Sequence, residues 1–318
     1  MSGFPDSGPI LGSVVGETLG LRIYLAGGIA LRGSNGVTLG ERALAGRQGR
    51  RLFVRLAAMH EPVPHIELAD DLWGPDWPDG WAVALRALVS KLRTLLASVG
   101  APGSILSSGG NYALILPADA WLDTDAAAEA VHRAETLLAA GDLAGAAGWA
   151  LAARAIASRS LLPGEEAEWL EPIRRRLSEV RLRSLEALGE IWISRGDPGL
   201  AARDAAEAIG VDPYRESAHR LLIRAHLAAG DHGAAGRAFA NVRQLLADEL
   251  GLRPAPRRWP WRDRSRVATP DPPARFEART RTRIPPSPWN RHGQVDDPHD
   301  PWGPVSVPDG SLHRRSLR

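Results

Sequence analysis

Gly196-Asp197-Pro198-Gly199-Leu200-Ala201 and Gly230-Asp231-His232-Gly233-Ala234-Ala235 repeat one phrase 34 residues apart, and Gly141-Asp142 with Ala146 carries an earlier copy. Each copy follows an apolar helical run and sets an alanine five residues beyond its glycine. Such a spacing is the period of tetratricopeptide helix pairs. Each pair leaves an apolar face that only a neighbouring pair covers, so the pairs stack and build a concave surface. The glycine suits the left-handed turn that ends a helix, and the aspartate suits the cap of the next. The phrase reads as turn chemistry in a helical array, not as a site.

Working outward, apolar periodicity predicts helices over 124–140, 143–158, 165–194, 198–210, 214–229 and 232–250, with Gly251 closing the last. The stretch 165–195 is long enough for one extended helix or two short ones, with Pro172 near its start. Upstream the rhythm differs. Residues 21–31 read as a strand, Gly33-Ser34-Asn35-Gly36 turns it, and 37–39 returns. Helices are expected over 47–60, 66–73 and 80–99, the third capped by Asp79. Residues 105–116 form a hairpin around Gly109-Gly110-Asn111. Strands, three helices and a hairpin are the order of a winged helix–turn–helix. The expected architecture is therefore an α+β winged helix–turn–helix followed by an all-α, tetratricopeptide-like helical domain, with a disordered C-terminal tail. Its divisions are a flexible leader over 1–19, a winged-helix DNA-binding domain over 20–118, the helical domain over 119–252, and a Pro/Arg-rich tail over 253–318.

Composition narrows the class. Cysteine is absent, which excludes a disulfide scaffold and a thiolate metal site. No run of 18 apolar residues occurs and the first twenty residues make a poor signal peptide, so a soluble cytoplasmic protein with no membrane partner is expected. The net charge of +2 hides a segregation. Residues 20–118 carry ten Lys/Arg against seven Asp/Glu, 119–251 carry 15 against 21, and 252–318 carry 14 against seven. A mildly basic domain beside an acidic one suits nucleic-acid binding by the first and a protein contact by the second. Thirteen of the 25 prolines fall beyond residue 251 with no apolar periodicity, and such a segment cannot offset its ordering entropy.

The third helix carries the chemistry. Leu85, Val89, Leu92 and Leu96 gather on one stripe fit to pack on the first two helices. Opposite lie Ala87, Ser90, Lys91 and Thr94, with Arg86 and Arg93 at the flanks. Small residues let a backbone approach a duplex, one long cation reaches a guanine edge, hydroxyls serve either strand, and flanking arginines hold phosphates.

Leu21-Arg-Ile-Tyr-Leu-Ala-Gly-Gly28, Leu68-Ala-Asp-Asp-Leu-Trp-Gly74, Leu85-Arg-Ala-Leu-Val-Ser-Lys-Leu-Arg93 and Gly109-Gly-Asn-Tyr-Ala-Leu114 resemble the DNA-binding half of the Streptomyces antibiotic regulatory protein (SARP) family. Asp212-Pro-Tyr-Arg-Glu216, followed by 221–229 and Leu245-Leu-Ala-Asp-Glu-Leu-Gly-Leu252, is similar to the bacterial transcriptional activator domain of that family. The resemblance covers about residues 20–255. It implies a DNA-binding activator of a secondary-metabolite gene cluster that uses promoter direct repeats, recruits RNA polymerase and is compatible with a homodimer on DNA. It assigns the recognition helix to Arg86, Ser90, Lys91, Arg93 and Thr94. It assigns phosphate contacts to Arg47, Arg50 and Arg51, although Arg51 and Arg55 read equally well as solvated. The wing falls on 107–112, including Ser108 and Asn111, and departs from the family pattern by having Ser108 and Ala113 where members often place arginine. A wing without cations adds little phosphate attraction.

Enzyme signals fail in turn. The only lysine, Lys91, precedes leucine, so there is no phosphate-binding loop, and Gly27-Gly28 reads as a strand bend. His60-Glu61-Pro62-Val63-Pro64-His65 has the wrong spacing for a zinc helix and two prolines across it. Asp70-Asp71 reads as a solvated helix face, Asp123 and Asp125 as helix caps, and Trp149, Trp169 and Trp192 as packing between repeats. Neither a cofactor nor a metal is expected. The alternative function is a helical-repeat adaptor whose winged helix binds DNA weakly or not at all. Removal of residues 253–318 should leave the thermal unfolding midpoint within about 2 °C; a larger fall in a calorimetric scan would show that the tail packs.

Overall fold

The computed structural model describes residues 20–250, so the expectations for the leader, for Gly251 and for the tail lie outside the described residues. Strand β1 (Arg22–Tyr24) pairs antiparallel with β2 (Ala30–Arg32), which pairs antiparallel with β3 (Thr38–Gly40). The single strand expected over 21–31 is thus two. Gly27 and Gly28 reverse the chain with φ of 85° and 145°, a region open to glycine at little cost. Leu21, Ile23, Leu25 and Leu31 are buried.

A 3₁₀ turn at Glu41–Ala43 leads into α1 (Gly46–Met59). There follow β4 (Val63–Pro64), α2 (His65–Trp73), α3 (Trp81–Ser98), and the hairpin β5 (Ile105–Ser108) and β6 (Asn111–Leu114). These last strands and β4 form a sheet in the order β4–β6–β5. The arrangement is a winged helix–turn–helix. Asp79 does not cap α3: Gly80 is its N-cap and no side chain bonds there.

Strand β7 (Trp121–Leu122) runs parallel to β1 and closes the first sheet as β3–β2–β1–β7. From it the chain enters α4 (Asp123–Ala139), α5 (Leu143–Ala157), α6 (Glu171–Arg195), α7 (Pro198–Val211), α8 (Glu216–Ala228) and α9 (His232–Leu250), each packed on the next. The long stretch is one helix, α6, entered through a 3₁₀ turn at Glu168–Leu170. Gly141, Gly196 and Gly230 all take left-handed φ, between 77° and 83°. Asp142 accepts from the Gly145 amide (2.9 Å) and Asp231 from that of Ala234 (2.8 Å). Asp197 makes no such bond, and Pro198 begins α7 with a φ already suited to a helix. Ala146, Ala201 and Ala235 are buried between helices, where a larger side chain would hold the backbones apart.

The sheet, the first three helices and α4 to α6 share one core, contiguous from Leu21 to Val180. Asp123 ties the two parts together. Expected as a helix cap, it directs its carboxylate 98 residues back to the amides of Leu25 (3.0 Å) and Ala26 (2.9 Å), while Leu122 holds the N-cap place of α4. Burial pushes its carboxyl above the usual carboxylate range, opposed by those amide bonds. Removing the acceptor leaves two buried N–H groups unsatisfied. Asp123→Ala should lower unfolding free energy by about 2–4 kcal/mol in denaturant titration; a loss under about 0.5 kcal/mol would show that the joint does not need it.

Candidate nucleic-acid interface

Leu85, Val89, Leu92 and Leu96 are all buried, and the helix that carries them packs on α1 and α2. On the other side Arg86, Ala87, Ser90, Lys91, Arg93 and Thr94 are exposed. Among the described residues nothing covers this face. Thr94 donates its hydroxyl to the Ser90 carbonyl (3.1 Å), which leaves its oxygen to accept. Among the described residues, Arg86 and Lys91 have no ion pair and no hydrogen bond. Arg93 plays another part. Its Nε donates to the Ile105 carbonyl (3.1 Å) and its guanidinium lies 5.9 Å from the Tyr112 ring, so it braces the hairpin against the helix.

The hairpin turns through Gly109 and Gly110, whose φ of 57° and 78° match a two-residue turn with both central residues left-handed. Tyr112 is buried against His65, with ring centroids 4.2 Å apart and planes at 26°. The His65 amide donates to the Gly110 carbonyl (2.9 Å). Ser108 pairs in register with Asn111, so both stand at the tip. Ser107, Ser108, Gly109 and Gly110 are exposed and no cation lies among them.

The basic start of α1 differs from expectation. Arg47 donates from Nε and Nη2 to Glu165 (2.8 and 2.9 Å), a residue of the loop between α5 and α6. That pairing holds the Glu165 carboxyl below its usual range. Arg50 pairs with Glu41 (2.9 Å). Arg51 is buried, 3.9 Å from Glu165, and is removed from the phosphate contacts by geometry. Arg55 is also buried, bonded to Asp71 (2.6 Å) and to Glu67, so neither arginine is solvated. Asp71 is correspondingly drawn inward, and burial raises its carboxyl pKa against the pull of Arg55. Long arginine stems lie well against apolar surface when a carboxylate meets the head group.

One cation was passed over in the sequence. Arg42 lies exposed on the 3₁₀ turn before α1 without an ion pair, next to Ala43, which lines one small crevice together with Leu88 and Lys91. Its place just ahead of the basic helix start was the available signal. Trp169 donates to the Asp71 carbonyl (3.2 Å), Trp192 donates to Asp204 (2.9 Å), and Trp149 lies under Arg133 at 4.9 Å. His60 meets Asp125 at 3.2 Å, and Leu122 rather than Asp125 holds the N-cap place of α4. Among the described residues no group of three or more His, Asp or Glu converges, and no helix is long and apolar enough to cross a membrane.

Residues 122–258 match the bacterial transcriptional activator domain. The regulatory protein AfsR of Streptomyces coelicolor is 33% identical over 190 residues, and AfsR of Streptomyces griseus is 29% identical over the same length. These matches take in 60% of this chain but only 19% of either relative, so the chain spans about a fifth of their length. Among solved structures, Mycobacterium tuberculosis EmbR, in complex with a low-affinity phosphopeptide, superposes with a TM-score of 0.65 at 25% identity, covering 74% of this chain and 62% of that one. Tyr112→Ala should cost about 3 kcal/mol of stability, as truncation of a buried ring does, whereas Tyr112→Phe should be nearly neutral. Equal losses in denaturant melts would place the value of Tyr112 in its hydroxyl rather than in the stack.

Proposed function

We propose that this chain, a transcriptional activator of the Streptomyces antibiotic regulatory protein type, binds double-stranded DNA by setting α3 into the major groove. The observation that carries the reading is the open face of α3, where unpaired Arg86 and Lys91 flank small side chains over a buried apolar stripe. A groove about 12 Å wide admits such a helix. Ala87 and Ser90 allow close approach, Lys91 reaches a guanine edge, and the hydroxyls of Ser90 and Thr94 serve exocyclic amines. Arg86 and Arg42 hold phosphates on either side, and Arg93 offers the donors left over from bracing the hairpin. Ser108 and Asn111 supply neutral contacts to the sugar-phosphate backbone. Arg47 and Arg50 join only by exchanging a carboxylate for a phosphate, which gains little free energy.

In this reading residues 20–118 read the operator, and 119–252 activate by contacting RNA polymerase. The acidic balance of the helical part suits a protein partner. Promoter direct repeats, a homodimer formed on them and a secondary-metabolite gene cluster are the setting that this type of regulator suggests. The type is one of transcriptional regulators, not an enzyme class. The neutral wing and the locked Arg47 favour one second reading, an adaptor with weak DNA binding.

A titration of fluorescent promoter fragments over a salt series separates the two. DNA binding should weaken steeply, with a log–log slope of about −0.9 for each phosphate held; a salt-independent or absent response selects the adaptor. Lys91→Ala should cost about 1–3 kcal/mol on the operator and little on random DNA. Arg86→Ala should weaken all sequences alike and reduce the slope by about 1, whereas Arg47→Ala should change affinity less than Arg86→Ala does. Equal loss on operator and random DNA for Lys91→Ala would remove base readout from the scheme.

A further inference from the structure

Between the end of α5 and the first turns of α6 lies a crevice of about 420 Å³. Its lining includes three arginines, Arg159, Arg174 and Arg181, and three serines, Ser158, Ser160 and Ser178, with no Asp or Glu. The geometry points to a binding site for a phosphate-bearing small molecule, a role that neither the fold nor the DNA-binding reading requires.

The floor is built and fixed. Arg174 donates from Nη2 to the carbonyls of Leu161 (3.2 Å), Leu162 (3.2 Å) and Glu165 (2.6 Å), and from Nη1 to Glu171 at the rim (3.1 Å). Arg181 bonds Glu207 through Nε (3.2 Å) and Nη2 (2.9 Å), leaving Nη1 unbonded. Arg159 is exposed, and among the described residues neither its guanidinium nor the three serine hydroxyls have a hydrogen-bond partner, although the Arg159 charge acts on the buried Asp123 carboxylate.

Charge decides the class of ligand. Glu171 is exposed and screened by water, Glu207 is shared between Arg154 and Arg181, and Asp123, on which Arg159 acts, is occupied by the Leu25 and Ala26 amides, so the three carboxylates offset the guanidinium groups only in part. The C-terminus of α5 brings about half a negative charge toward Ser158, which is also too little. Guanidinium forks and hydroxyls together match the oxygens of a phosphate. The volume lies in the range of small-molecule sites and the shape is a recess, which suits a compact ligand better than a duplex backbone. The lip also belongs to the joint with the winged helix: the Ser160 carbonyl accepts from the Gly27 amide (2.9 Å), and Leu161 bridges to Ala26. The site thus lies where a metabolite can be sensed next to the reading domain.

The test is calorimetric titration of the full chain at low ionic strength, with inorganic phosphate and ADP as probes. Saturable binding at one site is expected for at least one probe, and tighter binding of ADP would show that the rest of the recess is used. Ser178→Asp alters an exposed side chain, so its thermal unfolding should match the parent, whereas Arg159→Ser also removes a charge that acts on Asp123 and is compared at temperatures where both proteins are folded; each should weaken binding at least about tenfold. Absence of saturable binding of both probes up to about 10 mM, or unchanged affinity in both variants, would overturn the site.

Discussion

One carboxylate, that of Asp123 on the amides of Leu25 and Ala26, holds the first sheet to the first helix of the array. A buried amide that finds no acceptor costs as much as a lost hydrogen bond, and the turn at Gly27 leaves those two amides facing α4. Strand β7 brings Asp123 there by pairing parallel with β1, so the chain crosses the sheet immediately before it enters the array. Trp169 on the Asp71 carbonyl and Glu165 on Arg47 add further ties between the two parts. The face of α3 is therefore carried by a body whose orientation relative to the helical part is set by packing and hydrogen bonds together.

The arginines divide by their partners. Arg47, Arg50, Arg51 and Arg55 spend their charge on carboxylates within the fold. Arg93 spends its donor on a carbonyl and its face on a ring. Among the described residues Arg42, Arg86 and Lys91 spend none. A surface cation that already holds a carboxylate offers an incoming phosphate only an exchange, whereas an unpaired one offers a new attraction. A domain net of +3 says nothing about this division. It emerges only when acidic residues arrive from elsewhere in the chain.

Distance along the chain separates what the sequence disclosed from what it did not. The α3 stripe, the Gly109-Gly110 turn and the left-handed glycines before α5, α7 and α9 depend on neighbours a few residues away, so periodicity and turn chemistry revealed them. The exposure of Arg86, Ser90, Lys91 and Thr94 followed from the same stripe, because a helix that buries one side must show the other. Arg51 read as a surface cation because its carboxylate, Glu165, lies 114 residues onward. Asp123 read as a cap because the amides that donate to its carboxylate lie 98 and 97 residues back. The split of the 21–31 segment was concealed by alternating apolar residues that continue through Gly27-Gly28. The misplaced roles of Arg51 and Asp123 are long-range pairings, and no local pattern encodes one.

The shared core has a practical corollary for anyone who wishes to separate reader from array. A cut near residue 118 would strip β1 of its parallel neighbour, leave the Leu25 and Ala26 amides without their acceptor, and bare the apolar backs of both fragments. Neither fragment would then report the behaviour of the intact molecule. A division after α6 fares no better, because Leu182 and Leu185 share a buried core with Ala208 and Ala218, and Arg181 and Trp192 bond Glu207 and Asp204 across it.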